Sequence, residues 1–417
     1  MVMTRCLILA LLLTVQPAMA GETLPGTSVE SLLAAARANS ADLRMARLEA
    51  EAARERIQPA GALPDPVLRI ELENITKNGS QSATLSPSGV GDTKYTLMQP
   101  LPFWGKRDLK REVASAEAEQ AAARSADTWA EVANRIKTLY AQYWLTGQTL
   151  KLVRENIALT RQLEQIAQVR YTAGLAAQQD AIRAQLERSN MDSELLGMES
   201  EYRQLAGFIN AMLARDNRAA LAEPAALRPV PAGLDAERLN ERLRAANPQL
   251  GAEKARVDGA GKSRELAYRN RYPDFTLGVA PMQVGNKVDA WSLMLEMNLP
   301  LQQETRRSQE RESERMLEAA TARQEALGHR LHGELAGTLA NLEAAHGTER
   351  ITRDRLLPQA ELTFKSALAG YENGKVDFAT LLDAQRQIRN ARLALLRTQA
   401  SQQMRLADLE RLLGEDL

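Results

Sequence analysis

Apolar and polar residues alternate one by one in four short stretches of the chain. In Val67-Leu68-Arg69-Ile70-Glu71-Leu72-Glu73 the even positions are apolar and the odd ones mostly charged. Lys94, Thr96 and Met98 alternate with Tyr95 and Leu97, and Phe275, Leu277 and Val279 alternate with Thr276, Gly278 and Ala280. From Trp291 to Leu299 every odd position is apolar. A period of two predicts strands with two unlike faces, and segments of roughly ten residues cross a bilayer when tilted. This is the dyad of a barrel with one face in lipid and the other on a wet lumen. An ordinary amphipathic sheet on a soluble core would carry the same alternation. On the barrel reading Arg69, Glu71, Glu73, Lys94 and Glu296 face the lumen and keep it hydrated. Tyr95, Phe103, Trp104, Tyr272 and Trp291 fall near the expected strand ends, where aromatic belts form.

Between the strand pairs the pattern changes to long helix. Residues from about Ser28 to Pro59 read as helical, with Ser28 as N-cap, and no proline interrupts Trp104 to Glu223. A helix from Trp104 to Tyr171 would be on the order of 100 Å long, at about 1.5 Å per residue. A globular core needs no such rod; a duct or a coiled-coil spacer does. Pro358 lies in the corresponding run of the second half and should kink or locally unwind it rather than end it.

The two halves repeat one unit. Tyr171-Thr172-Ala173-Gly174 recurs as Tyr371-Glu372-Asn373-Gly374, and Ala184-Gln185 as Ala384-Gln385. Leu63-Pro64-Asp65 answers to Tyr272-Pro273-Asp274, Leu101-Pro102 to Leu299-Pro300, and Asn39 to Asn247, each asparagine near a helix start. Several separated anchors in one order mark a duplication. The expected fold is mainly α with a small transmembrane β part, as two repeats of helix, strand, strand and long helical hairpin. The first repeat covers 21–234, with strands at about 66–75 and 92–101 and a hairpin tip at about 171–180. The second covers 235–417, with strands at about 274–281 and 290–299 and a tip at about 371–380. Four strands are too few to close a barrel, so closure requires several copies, and three copies would supply twelve strands.

Charge and composition narrow the partners. Lys+Arg and Asp+Glu are both 53, a balance that disfavours nucleic acid, and aromatics are only 4% of a chain rich in helix-forming residues. Residues 1–20 read as a secretory signal: Arg5, an apolar run from Cys6 to Val15, and the small-x-small site Ala18-Met19-Ala20. Cys6 is the only cysteine, so the processed chain would lack thiol chemistry, and its place before the apolar run argues against a lipid anchor. No later segment has the 18 or so consecutive apolar residues of a membrane helix, so entry into a membrane would have to be as a closed barrel.

With signal, duplication, alternating strand pairs and Tyr-x-x-Gly turns together, the chain resembles the TolC-like outer-membrane factors over nearly all of its processed length. The resemblance implies a homotrimer in outer-membrane lipid, with one shared twelve-stranded β-barrel and a periplasmic α-helical barrel. It also implies docking on a periplasmic adaptor and an inner-membrane RND pump. The segments Tyr171 to Asp180 and Tyr371 to Asp383 resemble the family's periplasmic tips. On that resemblance Gly174, Leu175 and Gly374 form the turns that meet the adaptor, and Tyr371 resembles a tyrosine that helps hold the tips closed. Lys375 lies beside the place where some members carry a gating arginine, a place taken here by Val376. Asp180 and Asp383 follow the turns; Asp383 matches a family ring position, and Thr380 stands where some members have another acid. An acidic position facing the axis of an oligomer becomes a cation-attracting ring. Both aspartates also read as ordinary residues near helix N-termini. The run Gln99-Pro100-Leu101-Pro102-Phe103-Trp104-Gly105-Lys106-Arg107, with Leu63-Pro64-Asp65-Pro66, is similar to the CzcC-like heavy-metal cation efflux subgroup. That implies passive export of cobalt, zinc and cadmium, or of copper and silver.

Two other readings share parts of the pattern. A channel of the same fold could serve drug efflux or type I secretion. A periplasmic coiled-coil adaptor would have the hairpins but no need of lipid-facing strands. An enzyme finds no support, since P-loop, G-x-S-x-G and H-E-x-x-H motifs are missing from the sequence, and no cofactor is expected. His329-x-x-His332 could place two imidazoles on one helix face, but exposed histidines are the ordinary reading, and no resident metal is expected.

Overall fold

The computed structural model describes residues 24–76, 83–231 and 233–417. The signal segment, including Arg5, Cys6 and Ala18-Met19-Ala20, lies outside the described residues. Among the described residues no helix is long and apolar enough to cross a membrane, which leaves a β-barrel open.

The first repeat runs α1 (Val29–Asn39), α2 (Ala41–Glu55), α3 (Ile57–Gly61), β1 (Val67–Glu73), β2 (Asp92–Leu101), α4 (Lys106–Thr172) and α5 (Gln178–Met212). The second runs α6 (Ala236–Ala246), α7 (Pro248–Arg269), β3 (Phe275–Val284), β4 (Lys287–Met297), α8 (Gln303–Ile351), a π-helical turn (Thr352–Leu356), α9 (Leu357–Glu372) and α10 (Phe378–Leu413). Ser28 caps α1 by accepting from Ser31 N at 3.4 Å. The first helical stretch is broken where continuity was expected. Asn39 closes α1, and Ser40 leaves the helical conformation before α2 begins. The break in the second repeat falls at Asn247, which caps α7 through Leu250 N at 2.8 Å. Asn39 therefore ends a helix rather than starting one, and Ser40 takes the place that Asn247 fills.

The π-helical turn directly precedes α9, whose first turn holds Pro358. Proline removes one helix donor and crowds the carbonyl four residues back. A wider turn relieves that crowding without ending the rod.

The long helices pack on one another through small side chains. A Cβ on Gly259 of α7 would stand 3.3 Å from the Ala116 Cβ of α4, so the two backbones approach closely. Several apolar clusters hold the bundle among the described residues, and three of them are large. One gathers Leu32, Ile136, Tyr140, Ile209 and Leu213. A second joins Leu243, Leu331, Leu335, Leu342, Leu409 and Leu413. A third, at the hairpin tips, contains Leu163, Ala181, Phe378 and Leu381.

All four strands form one antiparallel sheet in the order β1-β2-β3-β4, so the edges β1 and β4 come from different repeats. Gly285, at φ 59°, makes the tight turn between β3 and β4. β2 has the expected span, with Tyr95 inside it rather than at its end, whereas β3 and β4 run further towards that turn than their alternation suggests, which places Trp291 within β4.

Candidate functional site

Two regions carry unusual chemistry: the sheet and the paired hairpin tips. In the sheet, residues that face one another across strands project to the same side. The register pairs Leu68 with Leu97 and Ile70 with Tyr95, then Leu97 with Val279 and Val279 with Leu293. One face is therefore apolar and open: Leu68 is 60% exposed, Trp291 71% and Leu293 82%. The opposite face pairs Arg69 with Thr96, Glu71 with Lys94, Glu73 with Asp92 and Thr276 with Glu296. All five charged strand residues singled out in the sequence lie on this second face. Arg69 reaches Glu71 only at 3.9 Å.

At the base of the sheet the two repeats are tied. Lys106 Nζ donates to Asp274 Oδ1 and to the Tyr272 carbonyl, both at 2.8 Å, and Phe103 N donates to the same Asp274 oxygen at 2.8 Å. Burial raises the Asp274 carboxyl, but Lys106 and the Phe103 N–H more than offset this and hold it below the usual carboxylate value. Phe103 stacks on Tyr272 at 4.4 Å, with the 75% exposed Trp104 edge-on beside it. The Phe103–Arg107 and Pro273-Asp274 motifs thus form one junction between sheet and helices.

The tips are two copies of one turn. Leu175 N donates to the Arg170 carbonyl at 2.8 Å and Gly174 N to that of Tyr171 at 2.9 Å; Lys375 N and Gly374 N repeat this on Gly370 and Tyr371 at 2.8 and 3.0 Å. This is a Schellman motif, which needs a left-handed residue after the helix. Gly174 and Gly374 supply it, both at φ 72°. Leu175 and Lys375 project into solvent beyond the turns.

The two tyrosines differ. Tyr171 is 40% exposed, whereas Tyr371 is 3% exposed, packed against Phe378 at 5.2 Å between ring centroids. Tyr371 Oη donates to Asp180 Oδ2 at 3.4 Å, long for such a bond, and so joins the second hairpin to the first. Burial, and then the Asp180 charge, push the Tyr371 phenol up, so it remains a protonated donor at neutral pH. Arg170 lies over the Tyr371 ring at 5.0 Å and donates to the Glu372 carbonyl at 2.6 Å. Arg170 was invisible in the sequence, because an arginine at a helix end reads as a solvated cap. Asp383 stays on the exposed side of α10, 3.5 Å from Arg386, whose guanidinium also pairs with Glu187 at 2.6 Å. Thr380 N donates to the cap Asp377 at 2.9 Å.

Gly370 was also missed. A Cβ there would lie 2.6 Å from Val376 Cγ2. The first tip has Arg170 and Ala176 at these two places, so the small and large residues are exchanged. Gly370→Ala should therefore destabilise the second tip by about 1–3 kcal/mol of overpacking, and adding Val376→Ala should restore most of it. Hydrogen exchange at the α9 and α10 ends measures this; equal protection in wild type and Gly370→Ala would refute it.

His329 and His332 are not brought together as ligands. The His332 Nδ1 is 2.6 Å from the Gly328 carbonyl and its Nε2 accepts from Arg244 at 3.1 Å, while His329 is exposed. Among the described residues no group of three or more His, Cys, Asp or Glu is arranged to hold a metal ion.

Known proteins resemble this chain along nearly its whole length. The model of the family described as outer membrane efflux protein matches residues 32–213 and 239–415. The cobalt-zinc-cadmium resistance protein CzcC of Cupriavidus metallidurans is 21% identical over 389 residues, 93% of this chain and 90% of that protein. Among solved structures, the outer membrane protein VceC of Vibrio cholerae superposes with a TM-score of 0.80 at 20% identity, covering 93% of this chain and 96% of VceC. CusC, whose structures concern folding and transmembrane channel formation, gives a TM-score of 0.80 at 18% identity, covering 94% and 93%.

Proposed function

Because the chain belongs to the outer membrane efflux protein family and has a TolC-like fold, we propose that it is the outer-membrane channel of a tripartite RND-type system, passively conducting heavy-metal cations from periplasm to exterior. The observation that carries the channel reading is the sheet itself. It presents a broad exposed apolar face backed by a charged one, with edges β1 and β4 unpaired among the described residues. Such an apolar surface is costly in water and natural in lipid. Open edges are tolerated there only when paired. Three copies would pair them in a twelve-stranded barrel, with Arg69, Glu71, Glu73, Lys94 and Glu296 towards the lumen.

The helical hairpins then form a periplasmic tunnel. Gly174, Leu175, Gly374 and Lys375 sit at the turns that meet an adaptor, and Tyr371 with Asp180 fastens the two hairpins of each protomer. Asp383, repeated around the axis, would attract cations at the constriction. Nothing in this scheme is chemical catalysis: the duct needs water, continuity and a gate.

The cargo reading rests on the similarity to CzcC and on the Gln99–Arg107 segment. Deleting the gene in a background without other family channels should lower tolerance to zinc, cobalt and cadmium, or to copper and silver, by several-fold, and a plasmid copy should restore it. Unchanged metal tolerance with new sensitivity to dyes would replace the cargo while keeping the channel. Release of the protein from membranes by carbonate washing would remove the channel as well.

A further inference from the structure

We infer that neighbouring copies of this chain join β4 to β1 in one definite register, in which Glu296 of one protomer faces Arg69 of the next. The inference rests on the proposed barrel and specifies its seam.

The register follows from the internal repeat. Val67 faces Met98 in the first strand pair, and the repeat counterparts of these residues, Thr276 and Glu296, face one another in the second. The duplication therefore extends to hydrogen-bond register, not only to sequence. The junction between the repeats, β2 with β3, pairs Met98 with Gly278 and Leu97 with Val279. Applying the same repeat relation to that junction gives the missing one, β4 with the β1 of another copy. Met98 becomes Glu296 and Gly278 becomes Arg69; Leu97 becomes Leu295 and Val279 becomes Ile70.

The chemistry of the resulting pairs agrees on both faces. On the apolar face Leu293, Leu295 and Met297 meet Leu72, Ile70 and Leu68 of the neighbour. On the polar face Glu296 meets a guanidinium. A slip of one residue would set Glu296 opposite Leu68 or Ile70, residues of the apolar face, and side-chain alternation forbids that pairing. A slip of two places Glu296 opposite either Glu71, a like charge, or Val67. Only the inferred register sets opposite charges face to face. Within the protomer Arg69 has one distant carboxylate, Glu71 at 3.9 Å, and Glu296 has no ion pair among the described residues. Both charges are thus available to a neighbour.

Cysteine pairs test this in the full-length protein, whose sole native cysteine is Cys6. Direct partners lie about 4.5–5.5 Å apart and partners two residues off about 7–8 Å, beyond disulfide reach. Arg69→Cys with Glu296→Cys, and separately Ile70→Cys with Leu295→Cys, should give covalent multimers in denaturing gels after mild oxidation. The two pairs sample both hydrogen-bonding classes of the ladder. Arg69→Cys with Met294→Cys or with Asn298→Cys should give at least about tenfold less product. Assembled protein that crosslinks through Met294 or Asn298 instead overturns the register and leaves the barrel standing. Wild-type protein that is monomeric in mild detergent overturns both. Charge exchange supplies a second reading: Arg69→Glu should lower the dissociation temperature of the oligomer, and adding Glu296→Arg should recover it. A double variant no better than the single one counts against the pair.

Discussion

Glu410→Ala should destabilise the helical body by about 3–5 kcal/mol, the largest stability loss expected of any single charge removal in this chain. Glu410 lies on α10 with its side chain 2% exposed, and binds Lys137 of α4, itself 5% exposed, at 2.7 Å. Arg228, from the segment between α5 and α6, grips the same carboxylate with two bonds of 3.0 and 2.8 Å, and Leu417 N adds a third donor at 3.1 Å. Removing the carboxylate leaves a buried ammonium and a partly buried guanidinium without their shared partner, and desolvation of the ammonium then dominates. The remaining counter-ion of Lys137 is Asp416, whose side chain is 75% exposed, so solvent screens most of its attraction. The bond from Lys137, and then its charge, hold the Asp416 carboxyl below its usual value despite partial burial. A depressed carboxyl contributes stability above its unfolded pKa and loses it as the pH falls through the folded one. The Glu410→Ala variant should accordingly unfold more readily still once the pH drops below the ordinary carboxylate range. Denaturant midpoints of the detergent-solubilised protein at neutral and acidic pH measure both effects. Lys137→Met added to Glu410→Ala should recover much of the neutral-pH loss, since no deeply buried ammonium is left. A Glu410→Ala midpoint equal to wild type would mean that water reaches this network.

Little of that network was legible in the sequence, and the reason is physical. Lys137 and Glu410 stand in Ala- and Leu-rich helices, where charged residues normally read as the solvated face. Their contact spans the two repeats, so no local pattern announces it. The long helix α4 shows why local patterns fade: it packs in turn against α2, α3, α5, α7 and α10, so its buried side rotates along its length. No single apolar stripe survives such a series of neighbours. The sheet was far more readable. Its side-chain period is fixed at two whatever the neighbours, so Leu68, Ile70 and Leu72 separate from Arg69, Glu71 and Glu73 by inspection. The turns were readable for another reason: a left-handed residue after a helix nearly demands glycine, and Gly174 and Gly374 stand in matching contexts. What the turns hold was not readable. Tyr171 and Tyr371 have matching motifs and opposite burial, because only Tyr371 has the first hairpin's Asp180 and Arg170 beside it within the chain. The break at Ser40 lacks both glycine and proline, the two residues that punctuate helices most strongly.

Tyr371→Ala should open the proposed gate. Its ring is buried in the tip cluster, with Arg170 over one face and Phe378 beside it, and its hydroxyl reaches across to Asp180. Truncating a buried aromatic costs about 3–5 kcal/mol. That cost falls on the state in which the second hairpin lies against the first, because the ring's contacts bridge them. A penalty of even 3 kcal/mol shifts a two-state balance by roughly two decades, since about 1.4 kcal/mol is tenfold. Single channels in planar bilayers should therefore show higher and steadier conductance than wild type. Tyr371→Phe is the graded control. It keeps the ring and loses only a 3.4 Å hydrogen bond, which is worth about 1 kcal/mol at most, so its conductance should rise far less. Asp180→Asn keeps an acceptor oxygen for the phenol but removes the charge, and should resemble Tyr371→Phe. The order alanine, then phenylalanine and asparagine, then wild type identifies ring packing as the principal fastening and the hydroxyl as its refinement. Equal conductance in Tyr371→Phe and Tyr371→Ala would move the latch to the hydrogen bond alone. Conductance unchanged in every variant would show that the hairpins part elsewhere, and Tyr371 would then be a packing residue of a rigid tip.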